Sequence, residues 1–432
     1  MSAILLTLLG CILLLLSAGV WVGAGLAGVG VVLLEVFRPM MPVERLLSQT
    51  VWNTVTGPEL VALPLFILMG EILFRTRLTK LLFDGLAPWV DRIPGRLLHT
   101  NILGCTLFAA ISGSSAATTA TVGRITSSEL IARGYDARTA AGGLAGAGTL
   151  GFLIPPSTIM IIYGVLAQVS ILKMFIAGII PGLLLALCFM LYTGANAMIY
   201  PQRLPPREGP RPAFKDYVRA LGQLAPVVLL IGFVVGSMLG GFATPTEAGA
   251  IGVFGALVVG ALQRCLSPRT LWDALLGAAQ VTSMIGLIIV GAVFLSVAMG
   301  FLSIPRTISG AISDLGLSPF MLILLLLVFY ILLGTVLEGM SIIVMTLPIT
   351  LPLVIQAGFD PIWFGVFLIL VVEMAQITPP VGFNLFVING ITGLSIATLV
   401  RAVLPFFVIM VLFTLGLALV PEIVTWLPNR LG

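Results

Sequence analysis

Six hydroxyl side chains crowd one uncharged stretch of this chain: ISGSSAATTATVG carries Ser112, Ser114, Ser115, Thr118, Thr119 and Thr121. Such hydroxyls can bond back to their own helix or let helices pack closely. They do other chemistry in a re-entrant hairpin, where two short helices would meet at Ser112-Gly113-Ser114-Ser115. Gly113 permits the sharp turn, hydroxyls and freed carbonyls are hard oxygen ligands for a small cation, and a helix N-terminus favours an anion. Shortly downstream, GTLGFLIPPSTIMIIYG interrupts an apolar run with Gly148, Gly151, Pro155 and Pro156. Two consecutive prolines remove two backbone donors and push the residues before them out of the αR region, so the helix breaks there.

The same chemistry recurs late in the chain. EMAQITPPVGFNLFVING holds Thr378, Pro379, Pro380, Gly382, Asn384 and Asn389, and GTVLEGMSIIVMTLP offers Gly334, Thr335, Gly339 and Ser341 as flexible, polar backbone. Glu338 lies within this second segment, and an ionisable group inside a membrane segment is a functional hypothesis by default. The alternative is that the tip reaches water and Glu338 merely solvates or caps it. Glu71 and Glu373 pose the same question, with an Arg on a neighbouring element as the alternative partner, and they rank below the hairpin tips.

Such segments need walls to hold them. The chain has 432 residues, 59% hydrophobic and 9% charged, with mean hydropathy +1.18, whereas soluble domains carry about 25% charged residues. Uncharged runs cover 2–34, 100–123, 139–172, 174–202, 220–246 and 274–305, each long enough for a hydrocarbon core of about 30 Å. They are continuous rather than alternating, so the expected fold is an all-α polytopic membrane protein with about ten to twelve transmembrane helices and two re-entrant hairpins. The first run opens without Lys or Arg and outlasts a leader's apolar core, so it reads as mature membrane sequence.

A shift of 224 residues superimposes Ala24, Gly25, Gly28 and Val29 on Ala248, Gly249, Gly252 and Val253. It also puts Pro155-Pro156 on Pro379-Pro380, Pro181 on Pro405, and the first hairpin tip opposite the start of 336–341. Two copies are expected, 1–199 and 220–432, joined by 200–219. Hairpins fall near 100–123 and 330–350, and broken helices near 149–157 and 373–390. The joining segment, YPQRLPPREGPRPAFKDYVR, carries Arg203, Arg207, Arg211, Lys215 and Arg219 against Glu208 and Asp216. That surplus makes it a cytoplasmic linker by the positive-inside rule. With an odd number of crossings each, the copies would be inverted, as in many secondary transporters.

Several function classes drop out. The four cysteines, Cys11, Cys105, Cys188 and Cys265, lie far apart without metal-ligand spacing, and the single His99, at the edge of a span, makes no relay. HExxH, GxSxG and GxxxxGK[ST] motifs are missing from the sequence, which argues against a zinc protease, a serine hydrolase and a phosphate loop. A net charge of +4, spread among loops without an aromatic–basic stripe, does not suit nucleic acid.

Taken in order, PLFILMGEILFRTRL, SGSSAATTATVG, GTLGFLIPPSTIMIIYG, TPTEAGAIG, GTVLEGMSIIVMTLP and TPPVGFNLFVING span almost the whole chain. Together they resemble the large membrane subunit of tripartite ATP-independent periplasmic (TRAP) transporters. The resemblance implies a multi-pass protein of the bacterial inner membrane, a sodium-coupled, elevator-type importer of the ion transporter superfamily. Na+ would be the coupling ion, with no organic cofactor and no enzyme activity. The implied partners are a small four-helix membrane subunit and a soluble periplasmic binding protein that delivers an organic acid, such as a C4-dicarboxylate or a sialic acid. The small subunit is expected to be separate, because the chain starts directly with the large-subunit pattern.

Carried over residue by residue, the substrate would meet Ser112, Ser114, Ser115, Pro155, Ser157, Thr378, Pro379 and Pro380. Sodium would be held at Ser112, Gly113, Ser114, Thr149, Gly334, Thr335, Glu338, Thr378 and Gly382. A sodium/anion symporter of the same superfamily, working without a binding protein, would share the hairpins and is the alternative. A channel fits less well, since duplicated halves with proline-interrupted helices suit alternating access.

Overall fold

The computed structural model describes residues 2–206, 212–313, 316–380 and 382–431. Among them the chain forms twenty α-helices, with short 3-10 turns and no strand. The first half contains α1 (Ser2–Ser17), α2 (Val22–Phe37), α3 (Val43–Val55), α4 (Ala62–Phe74), α5 (Leu78–Val90), α6 (His99–Ser112), α7 (Ser115–Ala132), α8 (Ala137–Gly148), α9 (Thr158–Ala167) and α10 (Ile171–Ile199). The second contains α11 (Phe214–Leu239), α12 (Pro245–Leu262), α13 (Pro268–Phe301), α14 (Ile304–Ser313), α15 (Pro319–Gly334), α16 (Gly339–Gln356), α17 (Pro361–Gln376), α18 (Phe383–Thr392), α19 (Ile396–Leu419) and α20 (Glu422–Leu431).

Local sequence sets where these helices start. Side-chain oxygens of Ser114, Asp136, Thr244, Ser318, Glu338, Asp360 and Ser395 accept from first-turn backbone N–H groups, satisfying donors that have no partner inside the helix. Proline opens α12, α13, α15 and α17, a position that needs no donor.

Among the described residues, six helices, α10, α11, α12, α13, α16 and α19, are long and apolar enough to cross a membrane, or seven if the α3–α4 pair, bent by 51°, counts as one span. The remaining apolar sequence is divided. The first uncharged run splits at 18–21 into α1 and α2, while 100–123 and 139–172 fall across helix breaks. Helix pairs α6–α7 and α15–α16 occupy the segments read as hairpins, and non-helical segments separate α8 from α9 and α17 from α18.

The 224-residue shift seen in the sequence carries over to the elements. It takes α7 onto 339–356, the span of α16, and α9 onto 382–391, against α18 at 383–392. It takes α2 onto 246–261, inside α12.

The helices gather in two groups. In one, α2, α3, α4, α12 and α13 pack on one another, with α11 against α12. A β-carbon on Gly23 would lie 2.5 Å from the Leu287 carbonyl oxygen, so the α2–α13 crossing depends on glycine. In the other, α6–α9 and α15–α18 pack together, with α19 against α8 and α17. Its axis is α17, where every residue of 363–376 is buried. The joining segment is stitched to two separate connections of the first half, by Arg96 donating to the Pro205 carbonyl and by the Asp136 N–H donating to the Arg203 carbonyl. Arg207, Glu208 and Arg211 of that segment lie outside the described residues.

Candidate functional site

The site is built where the two hairpin tips meet the two helix breaks. In hairpin 1, α6 ends at Ser112, Gly113 turns the chain at φ +56°, and Ser114 caps α7 through the Ala117 N–H. The Ser112 hydroxyl pairs with that of Thr118 at 2.7 Å. The Gly113 carbonyl accepts from the Thr158 hydroxyl at 2.7 Å, so the tip is seated on the start of α9. A β-carbon at Gly113 would lie 3.2 Å from the Pro156 carbonyl oxygen. The tip therefore rests on Pro156 and Ser157, which places Gly113, with Ser112 and Ser114 on either side, against the first break. The Ser157 hydroxyl is buried and has no hydrogen-bond partner among the described residues, which leaves it available to a ligand.

In hairpin 2, α15 ends at Gly334, whose missing β-carbon would collide with that of Ala375 on α17. Thr335 follows, and Glu338 caps α16 by accepting from the Met340 and Ser341 N–H groups at 3.1 and 3.3 Å. Glu338 is exposed, so its carboxylate does the capping work allowed for above. A β-carbon on Gly339 would lie 2.9 Å from the Gln376 amide nitrogen, which seats this tip on the C-terminal end of α17. The second break holds Thr378, Pro379, Pro380 and Gly382; Val381 lies outside the described residues. Gly382 adopts φ +33° and its carbonyl accepts from the Leu385 N–H, opening α18. Both proline–proline peptides are cis.

Three expected sodium ligands have side chains already engaged. The Thr149, Thr335 and Thr378 hydroxyls donate to the carbonyls of Gly146, Leu332 and Met374, at 2.6, 2.7 and 2.7 Å. A hydroxyl that donates keeps its lone pairs, so these residues still offer both side-chain and backbone oxygen to a cation.

The two halves differ in exposure. Pro155 and Pro156 are buried, while Pro379 and Pro380 are exposed, and Val336 at the second tip is 70% exposed.

A fully buried carboxylate joins the halves. Glu373, on α17, accepts from the Ser115 hydroxyl at 2.7 Å and from the Phe152 N–H at 2.8 Å. The Asn384 amide donates to Ser115 Oγ at 2.8 Å. This network ties hairpin 1, the first break and both arms of the second broken helix. Asn384 Oδ1 and Thr119 Oγ1, also buried, have no partner among the described residues.

The sequence reading ranked Glu373 below the tips and looked to an Arg; its partners are instead a serine and a backbone N–H. The available signal was its register, because the 224-residue shift places Glu373 on Thr149, the first residue of the first break. Glu71 does pair with an Arg, but with Arg75 on its own helix, and Arg75 also reaches the Asp273 carbonyl on α13. His99, the first residue of α6, is wholly buried and bonded to the Pro94 carbonyl at 2.6 Å. The four cysteines are free.

Comparisons with known proteins bear on the family and on the fold. The sequence profile of the family described as "Tripartite ATP-independent periplasmic transporter, DctM component" matches residues 9–423. A Pseudomonas aeruginosa protein named C4-dicarboxylate TRAP transporter large permease protein DctM is 34% identical over 389 residues, 90% of either chain. The Escherichia coli K12 protein named 2,3-diketo-L-gulonate TRAP transporter large permease protein YiaN is 31% identical over 97% of both. An Oleidesulfovibrio alaskensis protein named isethionate TRAP transporter permease protein DctMQ is 32% identical, over 96% of this chain and 65% of its own. Among solved structures, the Alcanivorax borkumensis YdaH transporter matches with TM-score 0.63 at 16% identity, over 88% of both chains. At that identity the likeness concerns the fold alone.

Proposed function

We infer the function of this chain from its family: it belongs to the DctM component of the tripartite ATP-independent periplasmic transporters, and is a large permease subunit. As a multi-pass inner-membrane subunit, it imports a small organic anion that a soluble periplasmic binding protein hands over, beside a small membrane subunit and at the expense of a sodium gradient. The named substrates of its relatives, a C4-dicarboxylate, 2,3-diketo-L-gulonate and isethionate, share an anionic group on a small organic body. The DctMQ name, on a protein about a third of which lies beyond the region matched here, supports a small subunit that is fused there.

One observation carries this reading. Four helices, α7, α9, α16 and α18, begin at the two hairpin tips and the two breaks. Helix N-termini bear partial positive charge and free N–H groups, the environment that holds a carboxylate. The carbonyls freed by the two breaks and the hydroxyl-rich first tip are oxygen ligands suited to sodium. In the proposed cycle, sodium organises the tips and breaks, the substrate anion binds, and the group containing α6–α9 and α15–α18 moves across the other group, which stays fixed. The halves are inverted copies.

The test is uptake by proteoliposomes holding this chain, its small partner and the cognate binding protein, with sodium and candidate acids varied. Saturable uptake that needs both sodium and the binding protein is the expected result. Uptake without a sodium gradient would overturn the coupling, and full uptake without the binding protein would favour the symporter alternative.

A further inference from the structure

A cavity of 380 Å³ opens where α8, α10 and α19 meet, and no hairpin-tip residue lines it. Three arginines do: Arg138 in the first turn of α8, Arg203 just beyond α10, and Arg401 in the second turn of α19. Among the described residues, the ion pairs are Glu71–Arg75 and Glu129–Arg133, so none of the three has a carboxylate partner. Arg203 lies over the Tyr200 ring instead, 4.3 Å from its centre. The acidic residue in the lining, Asp136, is committed to capping α8, accepting from the Thr139 N–H at 2.8 Å and the Thr139 hydroxyl at 2.7 Å. Deeper in the lining, Thr193 is 6% exposed and its hydroxyl has no partner among the described residues.

Single exposed arginines are ordinary. Three converging on one cavity, with an unanswered hydroxyl in its wall, form a receptor for an oxyanion, since guanidinium groups make charge-assisted, often paired, bonds to phosphate. Residues of the first turns of α8 and α19, Thr139 and Thr398, line the same cavity, so both helix N-termini add their partial positive charge.

The surroundings indicate which oxyanion. The helices that form the cavity also expose Leu191 and Met198 on α10 and Leu404 and Val408 on α19, within about two turns of its polar lining. A free anion makes no use of that apolar flank, whereas acyl chains do. Basic pockets between membrane helices at a leaflet surface take anionic lipid headgroups.

We propose that this cavity binds the phosphate headgroup of an anionic diacyl phospholipid, of the phosphatidylglycerol or cardiolipin class. The proposal does not depend on the substrate or on sodium coupling. It is tested on the purified full chain in detergent by following the thermal unfolding midpoint with short-chain phosphatidylglycerol, phosphatidylcholine or inorganic phosphate. Phosphatidylglycerol is expected to raise the midpoint, the other two are not, and Arg138→Gln/Arg401→Gln is expected to weaken the apparent phosphatidylglycerol affinity about tenfold or more.

Equal shifts from phosphatidylglycerol and phosphatidylcholine, or an equal shift from inorganic phosphate, would overturn it, as would an unchanged response in the double variant. Should that variant not fold, native mass spectrometry of the wild type and of Thr193→Val decides. Preferential retention of phosphatidylglycerol over phosphatidylethanolamine, reduced in Thr193→Val, supports the site; equal retention of the two lipids rejects it.

Discussion

Ser115 has one hydroxyl proton and two acceptors in reach, Glu373 Oε2 at 2.7 Å and the Gly148 carbonyl at 3.0 Å, while the Asn384 amide donates to it. Removing that hydroxyl leaves a buried amide and a buried carboxylate each one partner short, at about 1–3 kcal/mol per group. Ser115→Ala is therefore expected to lower the unfolding midpoint of the purified protein and to weaken the sodium dependence of uptake, with Ser115→Thr restoring much of both. Unchanged sodium affinity in Ser115→Ala would remove this hydroxyl from the coupling. Glu373→Gln keeps an acceptor for the Phe152 N–H and a donor for Ser115, whereas Glu373→Ala keeps neither. The Ala variant is expected to be less stable than the Gln variant by about 2 kcal/mol, measured by denaturant or thermal unfolding. The sequence disclosed the hydroxyl cluster but not this pairing. Ser115 and Glu373 are far apart in the chain, and only the tertiary fold, which brings the first residue of α7 to α17, makes them neighbours.

At the scale of elements, the interrupted helices were legible because proline acts locally: Pro155-Pro156 and Pro379-Pro380 lie in the two breaks and each opposes a continuous helix through them. Replacing Pro379 and Pro380 together with Ala removes about 3 kcal/mol or more of opposition to a continuous helix, so uptake is expected to collapse; full activity would count against the broken-helix reading. Hairpin 2 offers a sharper test. A methyl at Gly334 collides with that of Ala375, so Gly334→Ala is expected to abolish uptake and Gly334→Ala/Ala375→Gly to restore it. Failure of the second change to rescue would mean that this contact does not limit function. What sequence alone did not reveal here is that Thr149, Thr335 and Thr378 turn their hydroxyls back onto their own helices, since that depends on side-chain rotamers that periodicity does not report.

For the whole molecule, the proposed cycle requires hairpin 1 to slide past α4. A β-carbon on Gly70 would lie 3.5 Å from the Ser112 Cα, close enough for a disulfide between cysteines at these positions. With Cys11, Cys105, Cys188 and Cys265 replaced, oxidised Gly70→Cys/Ser112→Cys is expected to be inactive, and reduction is expected to return the activity of the unlinked pair. Uptake that survives oxidation would mean that these groups do not move relative to one another. The duplicated plan was readable from one offset linking several anchors, and that offset now spans whole helices, from α2 onto α12 to α9 onto α18. The split of the first apolar run into α1 and α2 was not readable, because Gly19, which turns at φ +69°, sits among residues as apolar as any span.

One unevenness between the halves has a larger meaning. The prolines of one break are sealed inside while their counterparts at the other stand open, although both are written in the same pattern. In the proposed cycle the two environments would be traded, so that the buried break becomes the exposed one. A cysteine at Ser157, silent toward a water-soluble thiol reagent at rest, would then react during turnover, and the chain would be its own mirror in time.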